Sequence, residues 1–198
     1  MEPTSAISPK FRELFQGTFG LDDGEFRKLL GCFQRRLLPK KAYYLTAGDV
    51  TRGKAYLNKG CARNYVVEES GKEHILYFLF EDWWMGDFES YHTQQPGQQY
   101  FQALEDCEIL YISRDDFQRM QKEIPKLLAW DAVKGRKNVM ANLKRLNEVK
   151  TMSAEERYLN LISKHPEIHQ RIPLQFIAAF LDIEPQSLSR MRRRLAGK

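Results

Sequence analysis

Near Ser113 the apolar pattern of the chain changes period, and this change limits what each part can fold into. From Phe33 to Ser113, short runs rich in Tyr, Phe, Val, Ile and Leu alternate with turn signals at Ala47-Gly48-Asp49, Asn58-Lys59-Gly60, Ser70-Gly71 and Gln95-Pro96-Gly97. Many short strands at such spacing predict an antiparallel barrel or jelly roll. Its clearest hairpin runs from Arg63 to Val67, turns through Glu68 to Lys72, and returns from His74 to Phe80. Ahead of it, Phe11, Leu14 and Phe15, then Phe26, Leu29 and Leu30, fall at helical spacing, punctuated by Gly17, Gly20 and Gly24. Beyond Ser113 the spacing is helical throughout: Asp115 to Lys122, a long segment opened by Pro125, and Ala154 to Lys164 after a break near Lys150 to Ser153. The expected fold class is α+β, with an N-terminal antiparallel β-roll, a long helix and a C-terminal helical unit. The expected domains are residues 1–150 and 151–198.

In the long helix, over about residues 125–149, Leu128, Ala132, Gly135, Val139, Asn142, Leu146 and Val149 alternate by four and three. This heptad-like seam has two readings. In one, the helix packs on its own barrel; in the other it is a dimer helix, with Gly135 permitting close approach and Asn142 fixing register.

Charge is uneven. Residues 1–133 carry 17 Lys and Arg against 20 Asp and Glu, whereas residues 134–198 carry 14 against 6, so the net +5 is concentrated at the C-terminal end. A basic C-terminal third suits a polyanion-binding module, with a solvated helical face as the plainer alternative. The segment IPLQFIAAFLDIEPQSLSRMRRRL, Ile172 to Leu195, weighs on this choice. Leu174 to Leu181 reads as a short helix with Ile177, Ala178 and Leu181 inward, Asp182-Ile183-Glu184 as a tight connection, and Pro185 as the first residue of a second helix. Two short helices so joined make a helix-turn-helix. Leu188, Met191 and Leu195 give the second helix an apolar side, opposite Gln186, Ser187, Ser189, Arg190 and Arg193, with Arg192 and Arg194 on the flanks. Near the start of such a helix Gln, Ser and Arg190 can reach base edges, and the Arg cluster suits phosphates. An amphipathic hairpin with a solvated Arg face is the alternative.

The order of barrel, long helix and terminal LDIEPQSLSRMRRRL resembles the CRP/FNR family of bacterial transcription regulators over nearly the whole chain. Leu45 to Asp49, the hairpin, Met85-Gly86-Asp87-Phe88 and the run from Cys107 to Phe117 follow the order of that family's cyclic-nucleotide-binding roll. The resemblance implies a cytoplasmic homodimer that binds double-stranded DNA at an inverted repeat, with RNA polymerase as a further partner. Pro185 and the polar residues after it would face the DNA. The effector pocket would include Gly86, Asp87, Phe88, Gly97, Gln98, Gln99 and Asn142. In ligand-binding members, the acid after the glycine holds a ribose hydroxyl, and an Arg-Ser or Arg-Ala pair takes the cyclic phosphate.

Here the chain departs from the family. Asp87 shortens the usual Glu, the Arg position falls on Gly97 and the next on Gln98, and Phe88 to Phe101 contains no Lys or Arg. A phosphate there would lose its charge-assisted bonds. Trp83, Trp84, Phe88, Tyr91 and Tyr100 crowd the segment, so three expectations stand: a pocket filled by aromatic side chains, one that takes an apolar ligand, and one that takes a cyclic nucleotide. Many members also continue into a β-wing, whereas this sequence runs only three residues past Leu195, so no wing is expected.

Jelly rolls also host cupin-like metal enzymes, and an interaction module with a basic protein-binding tail is a further class. A cupin needs clustered imidazoles. His74 and His92 stand apart, and His165 and His169 lie in the helical part. No Gly-x-Ser-x-Gly elbow occurs, and three scattered cysteines, Cys32, Cys61 and Cys107, cannot ligate an iron-sulfur cluster within one chain. Haem on His74 or His92 remains an alternative. No catalytic residue, metal or cofactor is therefore expected, and the cysteines are expected to be reduced and mostly buried. No apolar run reaches membrane-spanning length, and residues 1–9 lack a signal-peptide pattern, so the protein is expected to stay where it is made.

Overall fold

The computed structural model describes residues 7–196, so the reading of the chain's two ends falls partly outside the described residues. Helix α1 (Pro9–Arg12) passes into a π-helical turn (Glu13–Thr18) and is followed by α2 (Asp23–Leu30). The strands are β1 (Gln34–Leu38), β2 (Tyr43–Leu45), β3 (Gly53–Lys59), β4 (Ala62–Val67), β5 (Glu73–Leu79), β6 (Trp84–Met85), β7 (Tyr100–Ala103) and β8 (Cys107–Ser113), with α3 (Phe88–Thr93) between β6 and β7. The helices α4 (Arg114–Glu123), α5 (Lys126–Thr151), α6 (Ala154–Lys164), α7 (Ile168–Arg171), α8 (Leu174–Phe180) and α9 (Pro185–Ala196) complete the chain. Among the described residues no helix is long and apolar enough to cross a membrane.

The boundaries follow local chemistry. Asp22 with Glu25, and Ser153 with Glu156, form reciprocal capping boxes that satisfy the free amides at the starts of α2 and α6. Ser113 caps α4, turning the last barrel strand directly into a helix. The strands make two antiparallel sheets, ordered β1-β8-β3-β6 and β2-β7-β4-β5. Side chains alternate across them, so Leu57, Leu79, Met85, Phe101 and Ile109 meet between the sheets. Gly53 is required where β3 passes β8, because a Cβ there would lie 2.4 Å from the Ile112 carbonyl oxygen.

Two further apolar clusters cover the barrel. At one end Phe11, Phe15, Phe26 and Leu29 pack with Tyr56, Phe117 and Trp130, and the Trp84 and Trp130 rings lie 4.8 Å apart. On the β4–β5 hairpin, Phe78 and Phe80 turn away from Leu79 and the barrel interior to join Tyr158, Ile168, Ile177, Leu181 and Leu188. The C-terminal helices thus share a buried core with the barrel. Polar contacts frame it. Arg171 is gripped by both oxygens of Glu81 (2.7 and 2.9 Å) and by Glu105 (2.5 Å), Lys72 pairs with Asp182 at 3.0 Å, and the Arg63 guanidinium lies 4.1 Å from the Phe176 ring. Cys61 and Cys107 are buried free thiols, and burial raises both thiol pKa values, that of Cys107 to about 11. Cys32 is half-buried.

Two residues of the sequence-read seam on helix α5 make contacts with the barrel. Gly135 packs beneath Phe88 of the same chain, where a Cβ would sit 3.5 Å from the ring, and the Asn142 amide oxygen accepts a bond from the Tyr77 hydroxyl. Gly135 thus packs on the barrel segment at Phe88, whereas Asn142 bonds Tyr77 while itself remaining exposed. Ala132, Val139, Leu146 and Val149 are exposed, joined by Leu143.

Arg171 ties the C-terminal helices to the barrel through two partly buried carboxylates, a geometry between exposed pairs (up to about 1 kcal/mol) and buried ones (about 3–5 kcal/mol). Arg171→Met is expected to lower stability by roughly 2 kcal/mol in urea unfolding, and a loss below about 0.5 kcal/mol would show that the apolar seam alone holds the contact.

Candidate functional site

The C-terminal pair α8 and α9 is built by its turn. Helix α8 ends at Phe180, one residue earlier than read, with Leu181 as its cap. Asp182 adopts a left-handed conformation (φ 53°), and the Ile183 amide returns to the Ala178 carbonyl at 3.1 Å, so the chain reverses within three residues. Pro185 opens α9, where its missing N–H costs nothing. Leu188 is fully buried and Met191 and Leu195 are half-buried against the shared core, which turns the opposite side outward. On that outward side lie Gln186, Arg190 and Arg193, all exposed, with Ser187 beside them accepting a bond from Arg190 Nη2 at 3.1 Å. Ser189 and Arg192 are half-buried and line a groove against α6. Arg194 is exposed but ion-paired with Glu155 of α6.

The residues read as an effector pocket divide between two places. Asp87, Gly97, Gln98 and Gln99 meet in a recess of about 250 Å³ beside α3. Asp87 is buried and its Oδ1 caps α3 by accepting from the Ser90 amide at 3.1 Å. Gly97 packs so closely that a Cβ would lie 2.6 Å from the other Asp87 oxygen. Gly86, Phe88, Gln99 and Asn142 instead line a cavity of about 400 Å³ between the barrel and α5. The cavity leaves open space beside the aromatic side chains of this segment. Trp83, Trp84 and Phe88 are walls of it, whereas Tyr100 stacks on Tyr65 (4.9 Å) and Tyr91 lies under the Lys54 ammonium (4.0 Å).

Sequence reading missed the cavity's cations, Lys134 and Lys137, which come from α5 and not from the segment between β6 and β7. Their signal was present as Lys134, Lys137, Asn138, Ala141 and Asn142, a polar stripe at three-and-four spacing. Burial, with Lys137 and Lys54 nearby, pushes the Lys134 pKa down to about 8. Of the histidines weighed as ligands, His74 bonds Glu68 at 2.9 Å on the surface, and His92 packs on Phe88. No group of three or more His, Cys, Asp or Glu suited to a metal ion occurs among the described residues.

Comparison with known proteins bears on this architecture. Residues 35–123 match the family described as the cyclic nucleotide-binding domain. A stretch of 90 residues, 46% of the chain, is 30% identical to the cAMP-activated global transcriptional regulator CRP of Pasteurella multocida (strain Pm70). It spans 43% of that regulator, less than half its length. Among solved structures, the c-di-GMP responsive global regulator CLP of Xanthomonas campestris superposes with a TM-score of 0.71 at 18% identity, over 89% of this chain and 92% of that one. FixK2 from Bradyrhizobium japonicum superposes with a TM-score of 0.73 at 10% identity, over 83% and 85%. The β-roll is a cyclic nucleotide-binding domain in fold and family. With the helices that follow it, the chain shares the overall fold of CLP and FixK2.

Two histidines mark the C-terminal unit's response to acid. His165 stacks on Phe80 at 4.2 Å, and His169 bonds the Tyr158 hydroxyl at 2.8 Å. Burial, and for His169 also the Arg192 charge, lowers both pKa values from the ordinary 6.5. Because the unfolded chain binds these protons more readily, their contribution is complete above about pH 6.5 and is lost as pH falls through the lower folded values. The melting temperature is expected to fall between pH 7.5 and 5, and by less in His165→Phe/His169→Gln. An equal fall in the variant would assign the effect to other groups.

Proposed function

We propose that this chain is a homodimeric, sequence-specific DNA-binding regulator that reads an inverted repeat through α9. The observation that carries this reading is the outward side of α9, where Gln186, Arg190 and Arg193 stand exposed while Leu188 anchors the helix from behind. Gln186, Ser187 and Arg190 lie at the helix start, where side chains reach base edges, and Arg193 is nearer the backbone. Ser189, Arg192 and Arg194 have secondary parts, since two are turned toward α6 and Arg194 is held by Glu155. The stripe of α5 supports the dimer: Val139, Leu143, Leu146 and Val149 are each about half exposed (48 to 51%), and Leu128 extends the stripe. A second copy across a two-fold axis would cover it and space two α9 helices about one DNA turn apart.

The barrel's effector chemistry departs from the cyclic AMP pattern on the same reading. Asp87, the acid that would hold a ribose hydroxyl, is buried as the cap of α3, and the close packing of Gly97 leaves no room for the phosphate-binding Arg. The domain units proposed are the β-roll with α5, and the helices from α6 onward.

DNA binding measured across a salt series tests the first part. Arg190→Ala is expected to cost roughly 1–3 kcal/mol on the preferred site and relax specificity at one position. Arg193→Ala should weaken all sequences alike and reduce the salt slope by about one, with a smaller change for Arg194→Ala. Val139→Glu should give monomers by light scattering and weaken binding to the full inverted repeat. Indistinguishable behaviour of Arg190→Ala and Arg193→Ala would refute the groove assignment. For the second part, calorimetry with cyclic AMP is expected to show no binding at micromolar concentration, and a micromolar dissociation constant would overturn that reading.

A further inference from the structure

A second cavity, of about 200 Å³, lies where the barrel, α5, α6 and α8 meet. Its walls are aromatic: Tyr77, Phe78, Phe80 and Trp83 from the barrel and Phe180 from the end of α8. Its charge is one-sided, with Lys144, Arg145, Arg157 and Lys164 against the single carboxylate of Glu148. Glu148 is already engaged, accepting from Asn160 at 3.1 Å and lying 3.9 Å from Lys164.

The two guanidinium groups are what this cavity leaves incomplete. Among the described residues neither Arg145 nor Arg157 has a carboxylate at ion-pair distance; Glu148 acts on Arg145, and Arg157 on Asp182, only from further away. Arg145 Nη2 donates to the Ile75 carbonyl (3.0 Å) and, more weakly, to that of Phe180 (3.5 Å), and its charge lies 3.9 Å from the Phe180 ring. Arg157 donates to the Leu181 carbonyl at 2.7 Å and the Val149 carbonyl at 3.4 Å, while its Nε is buried with no hydrogen-bond partner. A buried donor on a cation that is left without a partner is costly, and charged groups are the last to be left so. Burial disfavours the cationic form of Arg145, with Tyr77 and Glu148 favouring it and the Arg157 charge opposing it.

We propose that this junction cavity is a binding site for a small aromatic acid, with a single ring between the aromatic walls and a carboxylate or phosphate ester on Arg145, Arg157 and Lys144. Planar guanidinium groups match either acid with paired, charge-assisted bonds. Drug-sized ligands occupy pockets of roughly 300–1,000 Å³, so the smaller volume here suits one ring bearing one acid group. The site is separate from the barrel cavity that holds Lys134 and Lys137, although Tyr77, Trp83 and Ala141 border both. It does not depend on the proposed DNA contacts. Because the same guanidinium groups hold the carbonyls of Phe180 and Leu181, an occupant would touch the attachment of α8 directly.

Isothermal calorimetry on the full chain tests it, with phenyl phosphate and phenylacetate as probes and 2-phenylethanol as the neutral control. At least one anion should bind saturably and the alcohol should not. Lys144→Glu, a change at an exposed lysine that spares the core, and Arg157→Met should each weaken binding about tenfold or more, whereas Lys137→Glu, in the barrel cavity only, should leave it unchanged. Should Arg157→Met fail to fold, Lys144→Glu decides. Binding of phenyl phosphate alone would assign the site to phosphate esters, and of phenylacetate alone to carboxylates. The proposal falls if neither anion saturates by about 5 mM (a Kd near 1 mM being ~4 kcal/mol), if the alcohol binds equally, or if Lys137→Glu abolishes binding while Lys144→Glu does not.

Discussion

Helix α5 has to satisfy three different surroundings along 26 residues, and most of the molecule is arranged around how it does so. Its first turns are anchored by Leu127 and Trp130 in the aromatic cluster beneath α1 and α2. Its middle turns present Lys134, Asn138 and Asn142 to the barrel, where a cavity and not a packed core lies beneath them. Its last turns place Arg145 and Glu148 against the C-terminal helices. One side is left over, and it is apolar.

The seam between barrel and C-terminal helices combines two kinds of force. Phe78, Phe80, Ile177, Leu181 and Leu188 supply non-directional burial, which would tolerate sliding. Arg171 between Glu81 and Glu105, Lys72 with Asp182, and Arg63 against Phe176 supply direction, because each fixes a charged head at one place. The outward side of α9 is unaffected by this docking, since the buried contacts use Leu188 and its neighbours on the opposite side.

Caps and turns are legible because they are local. Pro185, read as the first residue of its helix, acts on amides within its own first turn, and Ser113 and Ser153 with Glu156 cap their helices by the same local chemistry although the sequence reading did not name them. The inward set Ile177, Ala178 and Leu181 was legible for the same reason: a buried helix side repeats at the helical period. The α5 seam shows where this ends. A four-three count identifies an apolar stripe but not what each of its members meets, and Gly135 within the stripe packs on Phe88 while Leu143 beside it stands exposed. The cavity cations were missed because the residues that complete a site on the barrel come from a helix more than thirty positions later in the chain.

What the amino-acid order determined by itself was the succession of β-roll, long helix and helix-turn-helix, together with the polar outward side of α9, since periodicity, capping and turn chemistry act over a few residues. What only the tertiary structure decided was which long-range partners each charge obtained. Arg194 met Glu155, Arg171 met two carboxylates, and Arg145 and Arg157 were left facing a cavity. Those outcomes depend on how the β4–β5 hairpin, α5, α6 and α8 converge, and sequence spacing carries no measure of distance between segments that are not neighbours in the chain.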